Sequence, residues 1–73
     1  MTPAAALLRA DERLIAELVP HGARVLDLGC GDGTLLAYLR DTRNVSGYGI
    51  EIGHDEIRAC IERGVNVIEQ NID

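Results

Sequence analysis

Three glycines at alternate positions, Gly29, Gly31 and Gly33, follow an acid, Asp27, at the end of a short apolar run. A second acid, Glu51, closes another such run 22 positions after Gly29. Glycine removes the Cβ and admits positive φ, so a turn built this way bends sharply and brings backbone N–H groups against a bound molecule. The two carboxylates can accept hydrogen bonds from hydroxyl or ammonium groups, each such bond to a charged acceptor being worth roughly 1.5–3 kcal/mol. Together these residues point to a nucleotide-like small ligand.

Spacing narrows the choice. The dinucleotide fingerprint G-x-G-x-x-G needs glycine at position 34, which holds Thr34; the pattern present is Asp27-x-Gly29-x-Gly31-x-Gly33. Asp32 and Thr34 can cap the helix that follows. Two roles for Asp27 stand side by side: it can face the ligand, or it can accept loop N–H bonds and hold the turn in shape. His21, in a Pro-Gly turn, reads as a solvated loop residue, and His54, with Asp55 and Glu56, opens a helix whose positive end favours acids. No Ser, His and Asp arrangement for nucleophilic chemistry emerges, and no catalytic residue is assigned. Cys30 and Cys60, without CxxC or CxxH, indicate neither a metal site nor a disulfide framework and read as reduced thiols.

The elements that must carry these residues follow from changes of apolar period. Leu14, Ile15, Leu18 and Val19 mark one face of a helix that Pro20 and Gly22 end. Within a helix over residues 5–19, Asp11 would sit in the apolar face, an expensive place for a bare carboxylate. Asp11 as N-cap of a helix over residues 12–19 is the cheaper reading, preferred to a ligand-facing Asp11. Residues 24–28 are a strand apolar on both faces. Leu35, Leu36 and Leu39 predict a helix ended by the polar run Arg40-Asp41-Thr42-Arg43-Asn44, and residues 45–52 a second strand. Ile57, Cys60 and Ile61 predict another helix, with Gly64 at its left-handed C-cap, and Val65-Asn66-Val67-Ile68 a third strand. The class is therefore α/β: a βαβαβ unit preceded by a helix. Right-handed crossovers predict a parallel sheet of order 3-2-1 with helices on both faces. In such folds the ligand lies outside the carboxyl ends of the strands, at the turn of residues 29–34, with an acid after the second strand placed to accept from ribose hydroxyls.

Composition bounds the rest. The 73 residues make one small domain, and a net charge of −5 without a single lysine argues against nucleic acid as a main partner. The stretch Ala4-Ala5-Ala6-Leu7-Leu8 is too short, and too soon followed by charge, for a membrane span or a signal-peptide core. A cytoplasmic location is expected.

The acid-x-G-x-G-x-G pattern resembles the first motif of the class I methyltransferases that use S-adenosylmethionine. That resemblance implies a Rossmann-like fold and cofactor contacts from Asp27, Gly29, Cys30, Gly31 and Gly33, with Asp27 nearest the methionine end. S-adenosylmethionine carries an ammonium and a sulfonium in place of a pyrophosphate, which suits an acid there. The resemblance further implies Glu51 on the ribose, Ile52 against one face of the adenine, Asn71 accepting from the adenine amino group where these enzymes usually have an acid, and the N–H of Ile72 toward the ring.

The wording is closer to one family. Leu8-Arg9-Ala10-Asp11, Arg24-Val-Leu-Asp-Leu-Gly-Cys-Gly-Asp-Gly-Thr-Leu-Leu, Gly47-Tyr-Gly-Ile-Glu-Ile and Ala59-Cys-Ile-Glu-Arg-Gly-Val-Asn-Val-Ile are similar to the start of the bacterial MetW family of methionine biosynthesis. The resemblance implies action beside a homoserine O-acyltransferase and supplies no methyl acceptor. Gly53 departs from its pattern, which has Asp after the Glu-Ile pair, so the cap of the following helix is altered. Residues 1–73 are expected to form the N-terminal cofactor-binding half of one methyltransferase-like domain, inactive alone and able to self-associate through the edge strand at 25–28. The alternative is the nucleotide-binding half of an NAD-dependent oxidoreductase, against which Thr34 speaks.

Overall fold

The computed structural model describes residues 8–72. In chain order the elements are α1 (Ala10–Leu18), β1 (Arg24–Leu28), α2 (Thr34–Arg43), β2 (Ser46–Glu51), α3 (His54–Glu62) and β3 (Val67–Glu69). The strands form one parallel sheet of order β1-β2-β3, pairing Leu26 with Tyr48, Leu28 with Ile50 and Ile50 with Ile68. This is the expected order, with β1 at an edge.

Both crossovers step in the same direction across the sheet, so right-handed winding delivers α2 and α3 to the same face. The expectation of helices on both faces is corrected accordingly. Val25 touches both halves of the core on the covered face: Leu8, Ala16, Leu35, Leu39 and Val45 in one, Cys30, Leu36, Cys60 and Val65 in the other. The opposite face is bare among the described residues. Leu26 is 61% and Leu28 59% exposed, and Tyr48 and Ile68 lie open beside them.

Helix α1 departs most from expectation. It begins at Ala10, with Arg9 as N-cap, so Asp11 is an exposed residue of the first turn and not the cap. The Arg9 N–H donates to the Glu12 carboxylate at 3.0 Å, and Asp11 Oδ1 accepts the Glu12 N–H at 3.0 Å, so Asp11 does take a backbone N–H of the helix start although it is not the N-cap residue. Ala16 is the buried side chain of this helix, Leu8 and Val19 pack at its two ends, and Leu14 and Leu18 are exposed. The helix leans on α2 along its Ala16 side, and of the stripe that the apolar spacing singles out only Val19 packs on the core, while Leu14, Ile15 and Leu18 are exposed.

The polar run after Leu39 ends α2 only at its last residue, Asn44. Arg40 and Arg43 occupy its last turn, where cations suit the negative end of the helix, and the chain leaves only when Asn44 takes a left-handed φ of 53°. Arg43 then donates to the Val19 carbonyl at 2.9 Å and ties the ends of α1 and α2 together. After α3, Gly64 has φ +73°, its N–H donates to Ile61 O at 3.0 Å, and that of Val65 to Cys60 O at 2.9 Å. This is a Schellman ending with its usual apolar contact, here between Val65 and Cys60. It also uses up Val65, so β3 starts at Val67, later than the apolar run suggested. Residues 4–7, part of the stretch considered for a membrane span, lie outside the described residues. No helix among the described residues is long and apolar enough to cross a membrane.

Candidate functional site

The turn of residues 29–34 joins the carboxyl end of β1 to α2 and is held from several sides. The N–H groups of Gly29 and Cys30 both donate to the Ile50 carbonyl, at 2.8 and 3.1 Å, prolonging the sheet ladder past Leu28. Gly31 N–H donates to Glu51 Oε1 at 2.8 Å. Behind the turn, the Cys60 thiol reaches the Gly31 carbonyl at 3.3 Å and Arg63 Nε the Asp32 carbonyl at 3.2 Å. Asp32 Oδ1 accepts from the Thr34 N–H at 3.0 Å and hydroxyl at 2.6 Å, and so caps α2 from one residue outside its left-handed N-cap, Gly33.

The glycines divide by what lies beside them. A Cβ on Gly31, whose φ is +60°, would meet no protein atom within 4 Å, so this position is open toward the cleft. A Cβ on Gly33, φ +83°, would lie 2.9 Å from Cys60 Sγ. Gly33 is bare because the protein fills that space itself, and it lines neither of the two clefts that the described residues form at this turn. Gly49, directly under the turn in β2, likewise makes room for Cys30. The two thiols lie 3.7 Å apart, both buried, and burial first and the neighbouring Cys60 second push the Cys30 thiol up to about 12, so it stays protonated. Sequence spacing did not reveal this pairing; the glycines at 33 and 49 are its trace.

Two clefts meet at Gly29. The larger, about 500 Å³, is lined by Asp27, Gly29, Cys30 and Gly31 of the sequence-derived set, and by Arg9, Glu12 and Glu56, which sequence reasoning left unassigned. These three come from α1 and α3, far from the glycine turn in sequence, and no spacing signals them. The smaller, about 90 Å³, is lined by Gly29, Glu51, Ile52, Asn71 and Ile72. The structure thus brings every sequence-derived site residue except Gly33 to one of two adjoining hollows at the carboxyl ends of the strands.

The two acids differ in state. Asp27 is half-buried in the larger cleft and accepts no hydrogen bond from a described residue; burial pushes its pKa up, reinforced by Glu12 and opposed by Arg9. Of the two roles open to Asp27, holding the turn belongs instead to Glu51. The Glu51 carboxylate accepts from Gly31 through Oε1 and from Ile52 and Gly53 through Oε2, at 3.1 and 3.0 Å. Those bonds, Gly53 first and then Gly31, hold its pKa below the usual glutamate value. They also answer the question raised by Gly53: α3 starts there without a side-chain cap, and the Gly53 N–H is satisfied by Glu51. Among the described residues no group of three His, Cys, Asp or Glu could hold a metal ion.

The family model described as "Methionine biosynthesis protein MetW" matches residues 9–73. The chain belongs to the MetW family. It is similar to the bifunctional methionine biosynthesis protein MetXA/MetW of Rhodopirellula baltica, 37% identical across 97% of this chain. It spans only 13% of that relative's length. Among solved structures it resembles a TehB-like SAM-dependent methyltransferase of Corynebacterium glutamicum, with TM-score 0.73 and 26% identity over 97% of this chain and 41% of that one. DesVI of Streptomyces venezuelae shares the fold, with TM-score 0.65 and 22% identity over 94% of this chain and 30% of that one. The MetW chain therefore has the class I methyltransferase type of fold read from its strands and glycine turn.

Proposed function

We propose that this chain is the cofactor-binding half of a MetW-type domain of methionine biosynthesis, that its ligand is S-adenosylmethionine, and that it works in the cytoplasm. The observation that carries the reading is Asp27, a half-buried carboxylate without a hydrogen-bond partner among the described residues, facing a cleft of about 500 Å³ beside an open glycine turn. Such a group lowers its energy when a cation arrives, and the methionine end of S-adenosylmethionine supplies an ammonium and a sulfonium. The cleft volume lies in the range of small-molecule sites, roughly 300–1,000 Å³. In this reading the nucleoside end goes to the adjoining hollow, whose lining supplies Glu51 for the ribose, Ile52 for one face of the adenine, and Asn71 with the N–H of Ile72 for the ring edge.

When bound, S-adenosylmethionine supplies an electrophilic methyl group. The residues of this chain orient it: Gly31 leaves the backbone open to it, Asp27 neutralises its ammonium, and Glu51 fixes the turn. A carboxylate offers about four lone-pair sites, and three N–H groups use the Glu51 carboxylate already. Two ribose hydroxyls therefore exchange with, or share, one of those N–H bonds. Calorimetric titration of the intact protein with S-adenosylmethionine and with NAD tests the reading; heat of binding with the first alone is expected, and binding of NAD alone would overturn it.

A homoserine O-acyltransferase is the proposed partner. The fusion named MetXA/MetW in the Rhodopirellula baltica relative is compatible with that pairing. Purification of the intact protein from its native cells should bring the acyltransferase with it, and its repeated absence would remove the pairing.

A further inference from the structure

Cys30 lies within the glycine turn and Cys60 near the end of α3, and their sulfurs meet at 3.7 Å. A disulfide has its sulfurs about 2.05 Å apart, so a closure of about 1.7 Å, shared by two side chains, would join them. The missing Cβ atoms of Gly33 and Gly49 leave the space that the two thiols fill.

Access to the pair is one-sided. Cys30 lines the larger cleft and is 8% exposed, whereas Cys60 is fully buried. A small neutral oxidant in the cleft therefore meets Cys30 first, with Cys60 behind it as the second thiol. Both thiols also converge on the Gly31 carbonyl, Cys60 at 3.3 Å and Cys30 at 3.7 Å. Their S–H groups are thus part of what holds the open backbone at Gly31.

We propose that Cys30 and Cys60 are a redox site, converted by hydrogen peroxide to a disulfide that frees the Gly31 carbonyl and loosens the turn. The Cys30 sulfur attacks one peroxide oxygen, the O–O bond breaks, and the other oxygen leaves with the thiol proton as water, which gives a sulfenic acid. The Cys60 sulfur then attacks the Cys30 sulfur; the S–S bond forms, the S–O bond breaks, and the departing hydroxide takes the Cys60 proton as a second water. The thiol pair loses two electrons and the peroxide gains them. Burial holds both thiols protonated, that of Cys30 up to about 12, so the first step is slow and the site answers sustained peroxide. The same burial makes the sulfurs poor leaving groups, so the disulfide reopens slowly once formed. The effect on ligand rests on the reading of the cleft as an S-adenosylmethionine site; the disulfide does not.

The test treats the intact protein with excess hydrogen peroxide, alkylates it and digests it without reduction. Trypsin cuts after Arg24, Arg40, Arg58 and Arg63, so mass spectrometry should find residues 25–40 joined to residues 59–63. Calorimetry of the oxidised protein should show S-adenosylmethionine binding about twofold to tenfold weaker than in the reduced protein, and dithiothreitol should restore it. Peroxide treatment that yields no such linked pair overturns the proposal. So does unchanged affinity in the linked protein, or a loss that dithiothreitol does not reverse, which would mark oxidation beyond the disulfide. Reduced protein that binds no S-adenosylmethionine overturns the reading of the cleft instead, and the peptide map then decides the disulfide by itself.

Discussion

Gly33→Ala should cost the fold far more than Gly31→Ala, although the two residues are neighbours in one turn and both have positive φ. An L side chain in the left-handed region costs about 1–2 kcal/mol, and both variants bear that cost. Only at Gly33 does the new Cβ meet protein, 2.9 Å from Cys60 Sγ. Cys60 is fully buried, with Cys30 Sγ 3.7 Å away, so it has little room to retreat. Overpacking of this kind adds about 1–3 kcal/mol. Gly33→Ala should therefore destabilise by about 2–5 kcal/mol and Gly31→Ala by about 1–2 kcal/mol. Urea unfolding of the intact protein, followed by far-ultraviolet circular dichroism, measures both. Cys60→Ala, introduced into Gly33→Ala, should recover at least about 1 kcal/mol of the loss, a favourable coupling expected only for residues in contact. Equal costs for the two glycine variants, or purely additive behaviour of Gly33→Ala with Cys60→Ala, would refute the argument that Cys60 is what keeps position 33 bare.

Glu51→Gln keeps the shape and removes the charge, while its amide nitrogen turns a donor toward N–H groups that Glu51 now satisfies; S-adenosylmethionine binding should weaken by about tenfold to a hundredfold, and the Gly31 amide should exchange faster with solvent. Asp27→Asn should act oppositely on fold and function. Burial raises the Asp27 pKa above its ordinary value of 3.8, so the folded protein holds this proton more tightly than the unfolded chain, and the carboxylate costs stability above the folded pKa, a cost relieved as pH falls through it. The ligand-free Asp27→Asn protein should thus melt higher than wild type at neutral pH and bind S-adenosylmethionine more weakly, whereas a lower melting temperature would contradict the burial argument. Residues 1–73 prepared alone expose the β1 edge and the bare face of Leu26 and Leu28, and light scattering should show self-association; a monomer whose amides at 25–28 are protected from exchange would refute this.

The strand-turn-helix unit was legible because its signals are local. Apolar runs bounded by glycine mark β1 and β2, and alternate glycines after an acid mark the turn whatever packs behind it. What escaped the sequence depends on partners distant along the chain. Leu14 and Leu18 announce an apolar face on α1, but periodicity does not say whether anything covers that face, and the helix uses Ala16 instead. Arg40 to Arg43 look like a helix end by polarity; the dipole and the Val19 carbonyl make them its last turn. The division of labour between the acids was also hidden, since Asp27 and Glu51 are equally acidic in sequence, and only the register of β1 against β2 puts Glu51 within reach of the Gly31 N–H.

The turn of residues 29–34 is tethered to β2 through Glu51 and to the end of α3 through Cys60 and Arg63. A loop that must be ordered by its ligand charges that ordering against affinity and delays capture until the productive shape is sampled. Here the ordering is completed by folding, so the entropy of arranging the recognition backbone is lost before any ligand arrives. Association should then be governed by encounter and electrostatic attraction to the acidic cleft, and differences among ligands should be expressed mainly in how quickly they leave.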